Sequence, residues 1–184
     1  RVGARLWGAP ADAGIAGPKD LLMAAGAEAL GLEDRPIRRN VSGCVVLGRC
    51  MQGCPQGNKL SVGRTLLADA LTAGATVISS TEVGSITLDR GRARGVCARA
   101  EGGGQVRITA DRAVVLAASA VQTPSLLLAN GIDGGPVGHN FQGHPGVSMS
   151  GPFADPVRLW EGATQGHEVI GPRHEGLKFE ALGF

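Results

Sequence analysis

Residues 114–131 read VVLAASAVQTPSLLLANG, a stretch that joins the signals of a buried strand to those of a helix. The apolar run at 114–117 is typical of parallel strands that are buried on both faces. Ala118, Ser119 and Ala120 follow it, and side chains this small allow another surface to approach the backbone. The stretch therefore predicts a strand that leads through tiny residues into a helix.

The helix in this stretch has start and stop signals of its own. Thr123 can cap it, and Pro124 suits its first turn because proline lacks only an N–H that would be unpaired there. Asn130 and Gly131 form a left-handed stop signal. The N-terminus of such a helix offers free N–H groups and a partial positive charge, which suit a nucleotide diphosphate. An ordinary strand–helix unit without a ligand has the same pattern, and this stretch alone favours that simpler interpretation.

Length and composition exclude several function classes. The 184 residues can bury one core, or a core with an attached lobe. A net charge of +2, from 18 basic and 16 acidic residues, gives no electrostatic reason to expect nucleic acid as a partner. No apolar run approaches the roughly 20 residues of a membrane span, and no signal peptide opens the chain. We therefore expect a cytoplasmic protein, although Arg1 indicates a start within a longer chain that could carry a targeting segment.

Hydrophobic spacing predicts further elements on both sides of the central stretch. Amphipathic helices are expected at residues 19–30 and 62–73, each followed by a glycine. The β-branched segment 75–80 is expected to be a strand. After residue 131 the pattern is weaker, with strand-like pieces at 147–150 and 178–182.

A β-meander is expected between the second helix and the central stretch. Apolar and polar positions alternate at residues 82–89, 95–100 and 105–110. The connections at 90–92 and 101–104 are rich in glycine and suit hairpin turns.

The cysteines form an unusual cluster in sequence. Cys44, Cys50 and Cys54 have the spacing C-x5-C-x3-C, and Cys97 lies far along the chain. Only one pair fits the half-pattern of a zinc site, and no second half follows. The spacing favours reduced thiols or one local disulfide over a metal site.

Three separated stretches together resemble the glucose–methanol–choline (GMC) oxidoreductases, which are FAD-dependent alcohol oxidases and dehydrogenases. Residues 50–61 are similar to the C-x-x-G-C-P-x-G-x-K-x-S run of bacterial members. Residues 114–131 resemble the family's strand followed by A-G-A-x-x-T-P-x-L-L-x-x-S-G, and residues 137–145 resemble its V-G-x-N-L-x-x-H-P. The stretches occur in the family's order, with the predicted meander between the first two, and the segment 153–162 is similar as well.

The resemblance implies an α/β fold with α+β character. It would comprise part of an FAD-binding parallel sheet, an inserted antiparallel β-meander, and the start of a substrate-domain sheet. Residues 1–61 would be an irregular and helical lead-in with a cysteine-rich loop at the junction of the cofactor and substrate domains. Residues 62–135 would belong to the FAD-binding domain, and residues 136–184 would begin the substrate-binding domain.

The resemblance also implies contacts with FAD. Val83 would meet the adenine through its own N–H and C=O. Ala118, Ser119 and Ala120 would face the ADP half of the cofactor. The family usually has glycine at the position of Ser119, where a serine fits if its φ stays negative. Its hydroxyl could then bond a ribose or phosphate oxygen, or it could crowd the ligand.

Asn140 and His144 would lie near the flavin, at the junction of the two lobes. His139, beside Asn140, imitates the catalytic pair of the family, but adjacent side chains on an extended loop point apart. We assign no catalytic residue, because the family's C-terminal histidine base has no counterpart in the sequence. Its G-x-G-x-x-G motif for the FAD pyrophosphate has none either.

The implied function is oxidation of the CH–OH group of a small-molecule alcohol by hydride transfer to flavin. The chain would be a fragment that acts with the remainder of a parent flavoenzyme, and by itself it would bind FAD weakly and oxidise no alcohol. One alternative is a stand-alone binding or structural domain that has lost catalysis. Another is a metal protein with thiolate ligands from Cys44, Cys50, Cys54 and Cys97.

Overall fold

The computed structural model describes residues 8–10, 13–171 and 176–183. Its helices are α1 (Pro18–Ala29), α2 (Leu66–Thr72) and α3 (Ser119–Ala129). Its strands are β1 (Ala9–Pro10), β2 (Asp34–Pro36), β3 (Arg38–Arg39), β4 (Thr81–Asp89), β5 (Arg92–Ala100), β6 (Gln105–Thr109), β7 (His167–Ile170) and β8 (Lys178–Glu180). No helix in the described ranges is long and apolar enough to cross a membrane.

The chain divides into two compact units. The first combines residues 1–75 with residues 150–184, and the second comprises residues 76–149. In the first unit β1 pairs with β3, and β7 lies between β2 and β8. In the second unit β4, β5 and β6 form one sheet in chain order. The mixture of helices and strands agrees with the α/β class predicted from the sequence. The predicted domain boundaries after residues 61 and 135 separate cofactor-binding from substrate-binding segments, and they stay a prediction.

The meander of the second unit is confirmed almost residue by residue. β4 and β5 pair from Thr81↔Ala100 to Asp89↔Arg92, so a two-residue turn joins them. That turn places Arg90 and Gly91 at φ of +48° and +76°. Positive φ at both central residues is the type I′ geometry, whose twist matches that of the flanking strands.

The parallel sheet expected around residues 114–117 is not observed. Every strand pair among the described residues is antiparallel, and neither segment 114–117 nor segment 75–80 is a strand. The side chain of Val115 is 84% exposed. An apolar run becomes a strand only when a neighbouring strand accepts and donates its backbone hydrogen bonds, and no described segment does so here.

The helices end where the sequence predicts. At the end of α3, the Ile132 N–H donates to Leu127 O (2.9 Å) and the Gly131 N–H donates to Leu128 O (3.0 Å). Gly131 has a φ of +69°, which completes the Schellman motif that favours glycine at this position. The ends of α1 and α2 have the same pair of bonds. The helix predicted at 62–73 is interrupted near its start, because a 3₁₀ turn at Val62–Arg64 precedes α2.

A buried ion pair joins the start of α1 to a distant loop of the first unit. Asp20 is fully buried and accepts hydrogen bonds from the Gly17 N–H (2.8 Å) and the Gly166 N–H (3.2 Å). The Lys19 ammonium donates to Asp20 Oδ2 (3.2 Å) and to Ala163 O (2.5 Å). The backbones come so close that a Cβ on Gly17 would lie 2.0 Å from Glu161 O. The pair therefore fixes α1 against residues 161–166.

Loss of the Lys19 charge beside Asp20 should destabilise the protein. Replacing Lys19 by methionine would leave the Asp20 carboxylate buried without its cation, so we expect Lys19→Met to lower the free energy of unfolding by about 3–5 kcal/mol. Urea denaturation of the full-length protein measures the loss. The matched control is Arg158→Met, which removes an exposed ion pair with Glu161 and should cost less than about 1 kcal/mol. Equal losses for the two variants would contradict the structural role of Lys19.

A second ionic network lies on the sheet of β2, β7 and β8. The side chain of Glu168 is 8% exposed and accepts from Arg35 Nε at 2.6 Å, with Lys178 Nζ 3.3 Å from its other oxygen. Burial raises the pKa of Glu168, but the hydrogen bonds and charges of Arg35 and Lys178 outweigh it and hold the pKa below its ordinary 4.5. The ionised carboxylate thus stabilises the folded sheet.

The ionic network around Glu168 should make the stability of the folded protein sensitive to acid. Because the folded pKa of Glu168 lies below the unfolded one, its contribution is fully present above about pH 4.5 and is lost as pH falls through the folded pKa. We expect the difference in unfolding free energy between the wild type and Glu168→Gln to shrink below that pH. Denaturation curves from pH 7 to pH 3 measure the difference. A difference that stays constant over this range would refute the prediction, and Glu161→Gln, at an exposed pair, serves as the control.

Candidate functional site

The corner at the start of α3 is built by two hydroxyl side chains. Ser119 Oγ accepts from the N–H groups of Val121 and Gln122, each at 3.3 Å, and Thr123 Oγ1 accepts from the Ala118 N–H at 3.0 Å. Ser119 therefore does the capping that the sequence assigned to Thr123. The helix begins at Ser119, five residues before Pro124, the first-turn residue of the prediction, and Pro124 lies inside it.

Ser119 has a φ of +76°, so the negative φ that would let a serine fit easily at this position is not observed. This is the left-handed region, in which the Cβ of any residue other than glycine is crowded. The backbone at this corner requires the geometry that glycine adopts freely, while the hydroxyl of serine supplies the cap. A conformation that suits glycine thus persists here with a serine in place.

Nothing bulky covers this corner within its own unit. Ala118, Ser119 and Ala120 are all exposed, as is Ala117 before them. Three small side chains on an open surface fit the close approach of a flat or extended ligand to the backbone. Two of the first N–H groups of the helix are already bonded to Ser119, so they are not free for an anion in this geometry.

The other end of α3 is bound to the meander through a single side chain. The Ile86 N–H donates to Asn130 Oδ1 (2.9 Å), and Asn130 Nδ2 donates to Leu126 O (2.8 Å) and Gly84 O (3.4 Å). Asn130 thus ends its helix and satisfies the outer edge of β4 at the same time. The sequence identified only the first role. The signal for the second was Gly84, since a glycine inside a strand pattern often marks a bulge or a close approach.

Val83 lies at that bulge. The register passes from Val83↔Ala98 to Ser85↔Cys97, which leaves Gly84 without a partner on β5. A bulge bends its strand and turns nearby backbone groups away from the regular ladder. Val83 itself is partly buried. The structure therefore places this predicted adenine contact on a distorted edge strand that α3 adjoins.

Asn140 and His144 lie in a segment without regular structure. Both are exposed, and Asn140 has a φ of +58°. Within the described residues, no side-chain hydrogen bond links them to Val83 or to the corner at Ser119. Their proximity to a flavin stays a prediction. His139 is also exposed, and His174 lies outside the described residues.

The cysteines belong to a different part of the molecule. Cys44, Cys50 and Cys54 lie in the first unit and Cys97 lies on β5 of the second. All four are free thiols of intermediate exposure, so the alternative of a local disulfide is not what the structure shows. In the ranges that the structure describes, no group of three or more His, Cys, Asp or Glu side chains is placed to hold a metal ion.

Comparison with known proteins identifies the family. The family model described as GMC oxidoreductase matches residues 14–146. The chain belongs to the GMC oxidoreductases. The matched range includes α1, the cysteine-rich loop, the meander, α3 and the segment of Asn140 and His144.

Individual GMC relatives agree with this assignment. An uncharacterized GMC-type oxidoreductase of Mycobacterium tuberculosis is 40% identical over 162 residues, which is 88% of this chain and 26% of that protein. An uncharacterized GMC-type oxidoreductase of Sinorhizobium fredii is 34% identical over 144 residues, or 76% of this chain and 28% of that protein. A long-chain-alcohol oxidase of Arabidopsis thaliana is 28% identical over 145 residues, or 73% of this chain and 19% of that protein. The chain thus spans about a quarter of the length of the first two relatives.

Two substitutions of Ser119 should change the free energy of unfolding in opposite directions. Ser119→Gly relieves the left-handed backbone at a small loss in capping, so it should raise the free energy of unfolding of the second unit by about 1 kcal/mol. Ser119→Ala keeps the crowded Cβ and loses the cap, so it should lower that free energy by about 1 kcal/mol. Thermal and urea denaturation measure both changes. If both variants shift stability in the same direction, Ser119 does not combine strain with capping.

Proposed function

We propose that this chain is part of an FAD-dependent oxidoreductase that oxidises the CH–OH group of a small-molecule alcohol. Membership of the GMC oxidoreductases supports the class of reaction. The name of one relative, a long-chain-alcohol oxidase, supports an alcohol as the substrate. The exposed corner at Ala118, Ser119 and Ala120 supports cofactor binding, and it is the observation that carries the proposal, because a nucleotide can reach the backbone there without displacing a side chain.

In this proposal the second unit supplies part of the FAD-binding domain. Residues 114–117 form a strand of a parallel sheet when a neighbouring strand pairs with them, which accounts for the exposed Val115. Ala118, Ser119 and Ala120 then lie at the carboxyl end of that strand, where open α/β sheets bind their ligands. Ser119 holds the corner in a left-handed turn and turns its hydroxyl toward its own helix.

The meander supplies the second contact. Val83 would recognise the adenine through backbone N–H and C=O groups, and the bulge at Gly84 frees the backbone of β4 from a regular ladder at this point. Asn130 keeps α3 and β4 at a fixed separation. The meander and the helix would therefore each present backbone to one ligand.

Bound FAD would supply the redox chemistry by accepting a hydride from the carbinol carbon. The residues of this chain would bind and orient the cofactor, with Asn140 and His144 on its flavin side. No residue of this chain is proposed as the base that takes the hydroxyl proton.

The test uses the parent flavoenzyme that contains this chain, with substitutions at two matched alanines of α3. Ala120→Leu places a larger side chain on the proposed ADP face, so we expect the Kd for FAD to rise at least about tenfold, which corresponds to 1.4 kcal/mol. Ala129→Leu makes the same change at the exposed far end of the helix and should leave the Kd unchanged. Titration followed by flavin fluorescence measures both. Equal effects of the two variants would contradict the proposed face.

The reaction itself is tested by anaerobic reduction of the bound flavin. Addition of a primary alcohol should bleach the oxidised flavin absorbance of the wild type. Tight FAD binding with no reduction by any of a series of short- and long-chain alcohols would favour a non-catalytic binding domain instead.

A further inference from the structure

Three of the four cysteines line one small pocket of the first unit, and Arg39 lies against two of them. The pocket lies between the loop of residues 44–59 and β3, and its lining includes Arg39, Cys44, Cys50 and Cys54. Arg39 Nη2 donates to Cys50 Sγ at 3.1 Å, and Nη1 is 3.9 Å from Cys44 Sγ. A guanidinium stays charged at every physiological pH, so it favours the thiolate form of a neighbouring cysteine permanently.

Cys50 has further partners that favour its thiolate. Burial raises the pKa of Cys50, but hydrogen bonds from the hydroxyl and backbone N–H of Thr164, with the charge of Arg39, lower it below its ordinary value. The Thr164 hydroxyl has one proton and a second acceptor, Gly48 O at 3.2 Å. Arg39 and the Thr164 N–H are therefore the constant donors to Cys50.

Backbone N–H groups favour ionisation of Cys54. The N–H groups of Lys59, Asn58, Gln56 and Gly57 lower the pKa of Cys54 against a smaller opposing effect of burial. The chain turns at this point, with Gly57 at a φ of +67° and its N–H donating to Cys54 O at 2.9 Å. Two thiols that favour ionisation for different reasons therefore share one pocket.

The loop between these two thiols has room to bring them together. Only Met51, Gln52 and Gly53 separate Cys50 from Cys54, and all three are exposed. Gly53 has a φ of +106°, and a Cβ built there meets nothing within 4 Å. Both cysteines are partly exposed and free. A small reagent can therefore reach Cys50, and the loop can then close.

We propose that this pocket is a thiol–disulfide exchange site, in which Cys50 attacks a low-molecular-weight disulfide and Cys54 resolves the product. In the first step the Cys50 thiolate forms a bond to one sulfur of the external disulfide, whose S–S bond breaks and releases one thiolate. In the second step the Cys54 thiolate attacks Cys50 Sγ, forms the Cys50–Cys54 disulfide and releases the second thiolate. The two cysteines are oxidised by two electrons and the external disulfide is reduced to two thiols, so no other oxidant is needed.

Cys44 has a different role in this site. It also lies near Arg39, but at 3.9 Å from the guanidinium against 3.1 Å for Cys50. Cys44 therefore serves as the matched control. A metal centre would instead require the three thiols to converge, and in the described part of the chain no group of three ligands does so.

The experiment treats the reduced full-length protein with glutathione disulfide and follows the products by intact mass and peptide mapping. The wild type should form a Cys50–Cys54 disulfide, whereas Cys54→Ser should stop at a mixed disulfide between Cys50 and glutathione. Cys50→Ser should form neither product, and Cys44→Ser should behave like the wild type. Formation of a Cys44–Cys50 disulfide, or glutathionylation spread over all four cysteines, would overturn the proposal.

The contribution of Arg39 is measured separately. The exchange rate should rise with pH to a midpoint below that of a free cysteine, about 8.5. Arg39→Gln should move this midpoint to higher pH. For each pH unit of that shift, the exchange rate near neutral pH should fall by about threefold, because the thiolate becomes scarcer while each remaining thiolate is more nucleophilic. Arg158→Gln, in the same unit but outside the pocket lining, is the control. An unchanged midpoint in Arg39→Gln, or a stoichiometric metal lost only when the three thiols are mutated, would refute the exchange site.

Discussion

A buried lysine and aspartate hold the first unit together. Lys19 and Asp20 are adjacent in sequence, but their partners at Ala163 and Gly166 lie 144 and 146 residues away along the chain. Two charges removed from water are tolerated only when every polar atom finds a partner, and here the partners are backbone groups of the facing loop. The pair therefore determines which distant segment α1 contacts, in a unit whose buried apolar residues are few and mostly small.

In the second unit the neutral side chain of Asn130 makes a comparable long-range contact. Asn130 bonds the backbone of β4 on one side and the last turn of α3 on the other. Because an amide carries both a donor and an acceptor, it can replace a piece of strand at the edge of a sheet. The helix and the meander thereby keep one relative position, and the small-residue corner at Ser119 is held at the opposite end of the same helix.

The geometry of that corner connects the fold to the proposed cofactor. Ser119 adopts a backbone conformation that glycine prefers and uses its hydroxyl to bond the helix start. Strained backbone is often retained where it serves a function, because it holds groups in positions that relaxed chain would not reach. The two alanines beside Ser119 are exposed, which suits the close approach of the proposed nucleotide.

The sequence by itself determined the family, the meander, the three helix ends and the presence of a small-residue corner after an apolar run. These features rest on local signals, since turn glycines, alternation and helix stops act between neighbours along the chain. Only the tertiary structure decided that Lys19 is buried, that Asn130 binds β4, and that Arg39 lies against two cysteine sulfurs. Each of these contacts joins residues whose separation gives no periodic signal. The apolar run at 114–117 also shows that local signals do not determine long-range pairing. Its apolar character is local, but it becomes a strand only when another strand pairs with it through backbone hydrogen bonds.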